Sequence, residues 1–325
     1  IFLRGLAPDG GLFIPSELKK YNDTEIKDLS KLSYVDLATE IILNFCKSDL
    51  DKSRLKLLIQ KSYKDFIHPE VVNIKKIGKI NILELYNGPT LAFKDIAMQV
   101  IGNLYEELNI SQEKVINIVV ATSGDTGSAA IAALNNRKNI NVFVLHPNNK
   151  ISNIQRKIMT TIDSNNVFNL AIKGTFDDCQ KIVKEMFSEN KFREKINMSG
   201  VNSINWARIV CQIVYYFYTV LKFHNKKLNF SVPTGNFGDI YAGYIAKKMG
   251  LPIEKLIVAT NENDILKRVI NSGEYKPSFV KPSLSPSMDI QVSSNFERLL
   301  YDIVDQDDKR VSTKMAKIQS NGSFK

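Results

Sequence analysis

The chain has 325 residues, with 44 Lys and Arg against 34 Asp and Glu, a formal charge of +10. Its 44% hydrophobic and 24% charged content is that of an ordinary globular protein and excludes a largely disordered one. At roughly 150 residues per domain it has room for about two domains and a large core without covalent staples.

Residues 1 to about 80 read as mostly helical after a Gly/Pro-rich entry, where Asp9-Gly10-Gly11 and Pro15-Ser16 are turn signals. Leu37, Ile41, Ile42 and Phe45, and then Leu55, Leu58 and Ile59, are spaced as apolar helix faces. The segment Asn87-Gly88-Pro89-Thr90-Leu91-Ala92-Phe93-Lys94-Asp95 precedes an apolar helical stretch, Ile96–Leu104. A lysine just inside a helix start, flanked by Leu91, Ala92, Phe93 and Ile96, is unusual for a surface helix. By composition alone an exposed lysine is the commoner reading; in the other, helix dipole and desolvation both lower its pKa and make the neutral amine available as nucleophile or base.

From about residue 115 the rhythm changes. β-rich runs at 115–121, 140–145, 167–172, 228–232 and 255–260 alternate with helical patterns near 126–136, 151–162, 177–189, 203–224 and 238–249. Continuous apolar strands in such alternation predict an α/β fold, its parallel sheet covered by helices on both faces. The ligand is then expected at the carboxyl ends of the strands. Two loops fit that place. Thr122-Ser123-Gly124-Asp125-Thr126-Gly127-Ser128 lets the backbone turn tightly at a helix start whose free N–H groups favour an anion. Pro233-Thr234-Gly235-Asn236-Phe237-Gly238-Asp239 has two glycines three apart, a phosphate-binding nest. Neither is a G-x-G-x-x-G fingerprint, and the second lacks the Gly-Lys-Ser/Thr of a Walker A loop. Together they point to a phosphorylated ligand.

The longest apolar stretch, Ile209–Val220, is interrupted by Gln212 and is too short to span a bilayer, so no membrane partner is expected. Cys46, Cys179 and Cys211 are far apart and without CxxC spacing, and His68, His146 and His224 are equally scattered. This argues against a disulfide framework and against a metal site, and for a reducing, cytoplasmic setting. Lysine pairs such as Lys75-Lys76, Lys226-Lys227 and Lys247-Lys248 are isolated among acidic residues, so no nucleic acid is expected; an anionic small molecule suits the charge as well. No signal peptide precedes Ile1, yet an initiator Met is also lacking, and both ends are expected to be truncated.

NGPTLAFKD, ATSGDTGSAA, NKISNIQ, NSINWARIVCQIVYYF and VPTGNFGDIYAGYIAKKMGLPI, with RGLAPDGGLFIP before them and SPSMDI after, resemble the threonine synthase family in their order, over nearly the whole chain. The resemblance implies the pyridoxal-phosphate-dependent fold type II, two α/β domains with the cofactor in the cleft between them. It implies a mostly helical N-terminal region 1–85 and a first α/β part 86–200, with the smaller domain at about 95–165. A second α/β part, 201–325, follows. It further implies that Lys94 is catalytic and carries pyridoxal 5′-phosphate covalently. Thr234, Gly235, Asn236, Phe237, Gly238 and Asp239 then hold the cofactor phosphate, with Asp125 beside its ring. Many relatives in the wider fold have Asn where Asp125 stands, so its carboxyl is expected to be protonated or to point elsewhere.

Ser123, Gly124, Thr126, Gly127, Lys150, Asn202, Ser203 and Arg208 are implied in substrate binding. Asn202, Ser203 and Arg208 take the substrate phosphate, for which an Arg fork is well suited. The implied reaction is that of a lyase acting on phosphates: O-phospho-L-homoserine and water give L-threonine and phosphate, the last step of threonine biosynthesis in the aspartate family. The partner is that small molecule, in a monomer or homodimer. Two other readings stand beside it. A serine or threonine dehydratase-like lyase of the same fold would need no substrate-phosphate pocket. A non-catalytic cofactor-binding relative would not need Lys94. The loop that supplies Ser or Thr to the cofactor's pyridine nitrogen is not found before Lys325, so the C-terminal part is expected to be missing.

Overall fold

The computed structural model describes Gly5, Ala7 and residues 9–109, 114–224 and 226–325; Arg4, Leu6 and Pro8 of the opening RGLAPDGGLFIP lie outside the described residues. The chain begins with α1 (Asp23–Leu29), α2 (Tyr34–Leu43) and α3 (Lys52–Tyr63). Each starts at a side chain that accepts an otherwise unpaired backbone N–H: Asn22, in a capping box with Glu25, then Ser33, then Asp51. The predicted apolar faces are buried, except for Phe45, which is half-buried.

The helical reading of this region overlooked an antiparallel hairpin, β1 (Asn73–Ile77) and β2 (Ile80–Glu84), turned at Gly78-Lys79 with Gly78 at φ +57°. Most of its residues are exposed, so the short Ile80-Asn81-Ile82 alternation does not mark a buried face, and the turn is the clearest local signal.

Next come α4 (Lys94–Asn109), β3 (Ile116–Ala121), α5 (Asp125–Leu134), β4 (Ile140–Pro147) and α6 (Asn153–Thr160). They are followed by β5 (Val167–Ile172), α7 (Phe176–Ser188), α8 (Asn190–Lys195) and β6 (Met198–Ser199). The four strands form one parallel sheet in the order β5-β4-β3-β6. Then α9 (Trp206–Lys222), β7 (Leu228–Pro233), α10 (Gly238–Lys248) and β8 (Ile253–Ala259) build a second parallel pair, β7-β8. The described chain closes with α11 (Ile265–Ser272), a 3₁₀ turn (Pro286–Met288), α12 (Phe296–Ile303) and α13 (Asp308–Asn321). The five predicted strands and five predicted helices after residue 115 all form, within a few residues of their expected bounds. The two residues of β6 are too short to leave a pattern.

All of α9 from Trp206 to Leu221 is buried, against α2, α4 and α10. A helix apolar on every side belongs in a core. Among the described residues no helix is long and apolar enough to cross a membrane. The α4–α5 contact is close: a Cβ on Gly102 would stand 2.6 Å from the Ala133 carbonyl oxygen. Gly102→Ala is therefore expected to force the two helices apart and destabilise the protein by about 1–3 kcal/mol, despite alanine's better helix propensity. Urea unfolding followed by circular dichroism checks this; an unchanged midpoint would mean the pair yields freely.

Candidate active site

Lys94 opens α4 from a turn that Asp95 ties together. The Asp95 carboxylate accepts from Thr90 N at 2.7 Å and from Thr90 Oγ1 at 2.8 Å. Leu91 is held at φ +57°, and a Cβ on Gly88 would fall 2.4 Å from Asp95 Cβ. Lys94 Nζ donates to Asp125 Oδ2 at 3.1 Å and lies 4.8 Å from the centroid of the Phe93 ring; its side chain is only 12% exposed. Burial holds the amine's pKa below its ordinary value. Asp125 pulls the other way, and the Arg208 charge adds to the lowering. More of the amine is neutral near neutral pH, as attack on a carbonyl requires.

In the loop after β3, Thr122 Oγ1 accepts from the backbone N–H of Gly124 and of Gly127, both at 2.9 Å. This pulls residues 122–127 into the turn that starts α5 with Asp125. Ser123 and Thr126 stay half-buried while Gly124 and Gly127 are buried. Burial pushes the Asp125 pKa up, but the Lys94 charge and the donors Gln155, Lys94 and Ser287 outweigh it, so it lies below its ordinary value. The carboxylate is paired with Lys94.

In the loop after β7, Phe237 adopts φ +64° ahead of α10. The residues around 285–295 press against it. A Cβ on Gly235 would lie 2.9 Å from Ile290 Cδ1 and 3.2 Å from Met288 Cα. Ser293 Oγ donates to Gly235 O at 2.7 Å, Ser294 Oγ to Asn236 Oδ1 at 3.0 Å, and Asn295 N to Asn236 O at 3.0 Å. The loop's oxygens are thereby engaged, while the N–H groups of Gly235, Asn236, Phe237 and Gly238 meet no acceptor among the described residues. Four such donors at a helix N-terminus form an anion nest. Thr234 is buried, its hydroxyl donating to Val232 O at 2.6 Å. The Asp239 side chain departs from expectation: its carboxylate turns to α9, where it accepts from the hydroxyls of Tyr215 and Tyr216. It anchors the helix start instead of facing the nest.

The same segment joins the loop after β7 to the turn before α9. Ser294 Oγ is 3.2 Å from Ser203 Oγ, and Asn295 Nδ2 donates to both Ser203 O and Asn236 O. Arg208, 2% exposed in the first turns of α9, makes no ion pair among the described residues. Its NH1 reaches Val201 O only at 3.5 Å; its Nε, like the nearby Asn202 Oδ1, is buried without a partner. Burial pushes its pKa down to about 10. A buried cation without a counter-ion calls for an anionic ligand. Lys150 is not brought into this cluster: it is exposed beyond β4, where its charge acts on Asp178. Gln155, Ser287, Ser293, Ser294 and Asn295 escaped the sequence reading as site residues, because short polar side chains in loops and helix caps carry no motif of their own.

Residues 1–63 match the family model described as threonine synthase N terminus, and residues 76–317 the one described as pyridoxal-phosphate dependent enzyme. A threonine synthase of Pseudomonas aeruginosa is 45% identical over 100% of this chain and 70% of its own length. One of Saccharomyces cerevisiae is 50% identical over 92% of this chain and 62% of its own. The crystal structure of a PLP-bound threonine synthase from Brucella melitensis superposes with a TM-score of 0.94 at 44% identity, covering 99% of this chain and 70% of that one. The chain therefore spans 62–70% of the length of these relatives.

Since the Arg208 charge disfavours a second cation nearby, Arg208→Met is expected to raise the pH at which Lys94 becomes reactive. The pH dependence of aldehyde labelling at Lys94, read by peptide mass spectrometry, measures this; a midpoint that stays or falls would separate the two cations.

Proposed function

The chain belongs to the threonine synthase family, and from that we propose that it holds pyridoxal 5′-phosphate on Lys94 and converts O-phospho-L-homoserine and water to L-threonine and inorganic phosphate. The carrying observation is that two separate anion-receptive places flank one buried amine. The amides of Gly235, Asn236, Phe237 and Gly238 suit one phosphate, and the buried cation Arg208 with Asn202 and Ser203 suits another. A cofactor phosphate and a substrate phosphate fill both. A dehydratase acting on unphosphorylated serine or threonine would leave Arg208 without a counter-ion.

When bound, the cofactor supplies a conjugated ring that takes up the electron pair left by proton removal from carbon. The protein positions bonds and moves protons. The substrate amine frees Lys94, whose lowered pKa suits it to take the Cα proton and to assist proton transfer at Cβ. Asp125 accepts from the ammonium that results and keeps it in place. The Cγ–O bond breaks with its electrons leaving on phosphate, whose growing charge Arg208, Asn202 and Ser203 stabilise. Water oxygen bonds to Cβ, a proton is added at Cγ and one is returned to Cα, which balances threonine plus phosphate. The buried free thiols Cys46, Cys179 and Cys211 suit a reducing cytoplasm.

The test is turnover of O-phospho-L-homoserine by the intact gene product with added pyridoxal phosphate. Threonine and phosphate are expected in equal amounts; phosphate appearing with a keto acid would mean a different lyase. Lys94→Ala should abolish turnover with the circular dichroism spectrum unchanged, and retained turnover would remove Lys94 from the chemistry. Arg208→Ala should raise KM by about tenfold or more through lost charge-assisted contacts, with cofactor affinity changed less. An unchanged KM would place the substrate phosphate elsewhere.

A further inference from the structure

We propose that Gln155 is a positioning residue for Lys94: its side-chain amide lies across Gly124 and clamps Asp125 so that the carboxylate faces the lysine amine. The inference rests on the reading of Lys94 as the reactive lysine. Gln155 Nε2 donates to Asp125 Oδ1 at 2.6 Å, while the other oxygen, Oδ2, accepts from Lys94. The amide cannot easily turn over, because the Asp125 carboxylate can only accept, and Ser152 Oγ, the cap of α6, donates to Gln155 Oε1 at 3.0 Å. That leaves the NH₂ group towards the carboxylate. Both Asp125 oxygens are thus directed, one by a neutral donor and one by the lysine.

A second observation agrees. Gly124 sits at φ +137°, and a Cβ there would lie 2.3 Å from Gln155 Cδ, 2.5 Å from Oε1 and 2.7 Å from Nε2. The amide occupies the volume that any side chain at 124 would need. The missing side chain of this loop therefore admits Gln155 as well as allowing the turn.

A tie that merely joined α6 to α5 would not affect Lys94, whereas a clamp on its counter-ion must. Lys94 faces Asp125 from α5, Arg208 from α9 and Asp95 from its own helix; Asp125 faces Lys94, Gln155 and the Ser287 hydroxyl. Gln155→Glu places a second negative charge beside Asp125 and favours the ammonium. Gln155→Leu removes the donor, releases Asp125 from its orientation and weakens its hold on the ammonium. The two substitutions should move the lysine's titration in opposite directions.

The experiment uses the cofactor-free chain, labelled reductively with ¹³C-formaldehyde from neutral to alkaline pH, with Lys94 modification read by peptide mass spectrometry. The midpoint is expected above the parent's in Gln155→Glu and below it in Gln155→Leu, the two about one pH unit apart. A midpoint in the Leu variant that is not below the parent's overturns the proposal. Gln155→Met, close to glutamine in length and without the donor, repeats the measurement against the parent should the Leu variant not fold. Borohydride trapping of the parent with pyridoxal phosphate keeps the two readings apart. No adduct at Lys94 would sink the cofactor assignment; an adduct with equal midpoints in both variants would sink only the clamp.

Discussion

Two cations, the Lys94 ammonium and the Arg208 guanidinium, share a space where burial disfavours charge, and the Arg208 charge adds to the cost of ionising Lys94. One carboxylate, Asp125, is bonded to the lysine; Arg208 has no ion pair among the described residues. The site is therefore short of negative charge, and its amide nest adds further positive potential. Much of the surrounding structure serves to hold this imbalance in place. α9, buried throughout, carries Arg208 and fixes Asp239 through two tyrosines. The Asp95–Thr90 tie fixes the turn that delivers Lys94.

The residues around 281–295 connect these parts because polar groups from the end of β8 hold them. Asn261 Nδ2 donates to Ser283 Oγ and Asp289 Oδ1, each at 2.8 Å, and Asn263 Nδ2 donates to Asp289 Oδ1 at 3.0 Å. Asp289 Oδ2 in turn accepts from Ser283 N at 2.9 Å. A satisfied network of this kind is rigid, since each broken bond leaves a partly buried polar group unpaired. Its rigidity is passed to the phosphate nest through Met288, Ile290, Ser293 and Ser294. Ordered donors need no rearrangement when charge develops, which is the physical basis of electrostatic catalysis.

What could be read along the chain was whatever repeats or turns locally. The strands and helices after residue 115 announced themselves by apolar runs and spacing and the two loops by glycines after strands, whereas Lys94 was singled out by the resemblance of NGPTLAFKD. The apolar stretch around Ile209–Val220 was legible as too short for a membrane, and became α9. The β1–β2 hairpin and β6 were not legible, since one has exposed faces and the other has two residues.

The tertiary structure alone decided how the site is wired. It set Asp125 as the ionised partner of Lys94, turned Asp239 away to the tyrosines and left Lys150 outside. It also drew Gln155 and Ser287 to one carboxylate from positions 30 and more residues along the chain. Periodicity and turn chemistry report a residue's near neighbours. Hydrogen-bond direction, burial and the pKa that follows from them depend on groups the chain brings together only when it packs, and those are the quantities on which this site's chemistry depends.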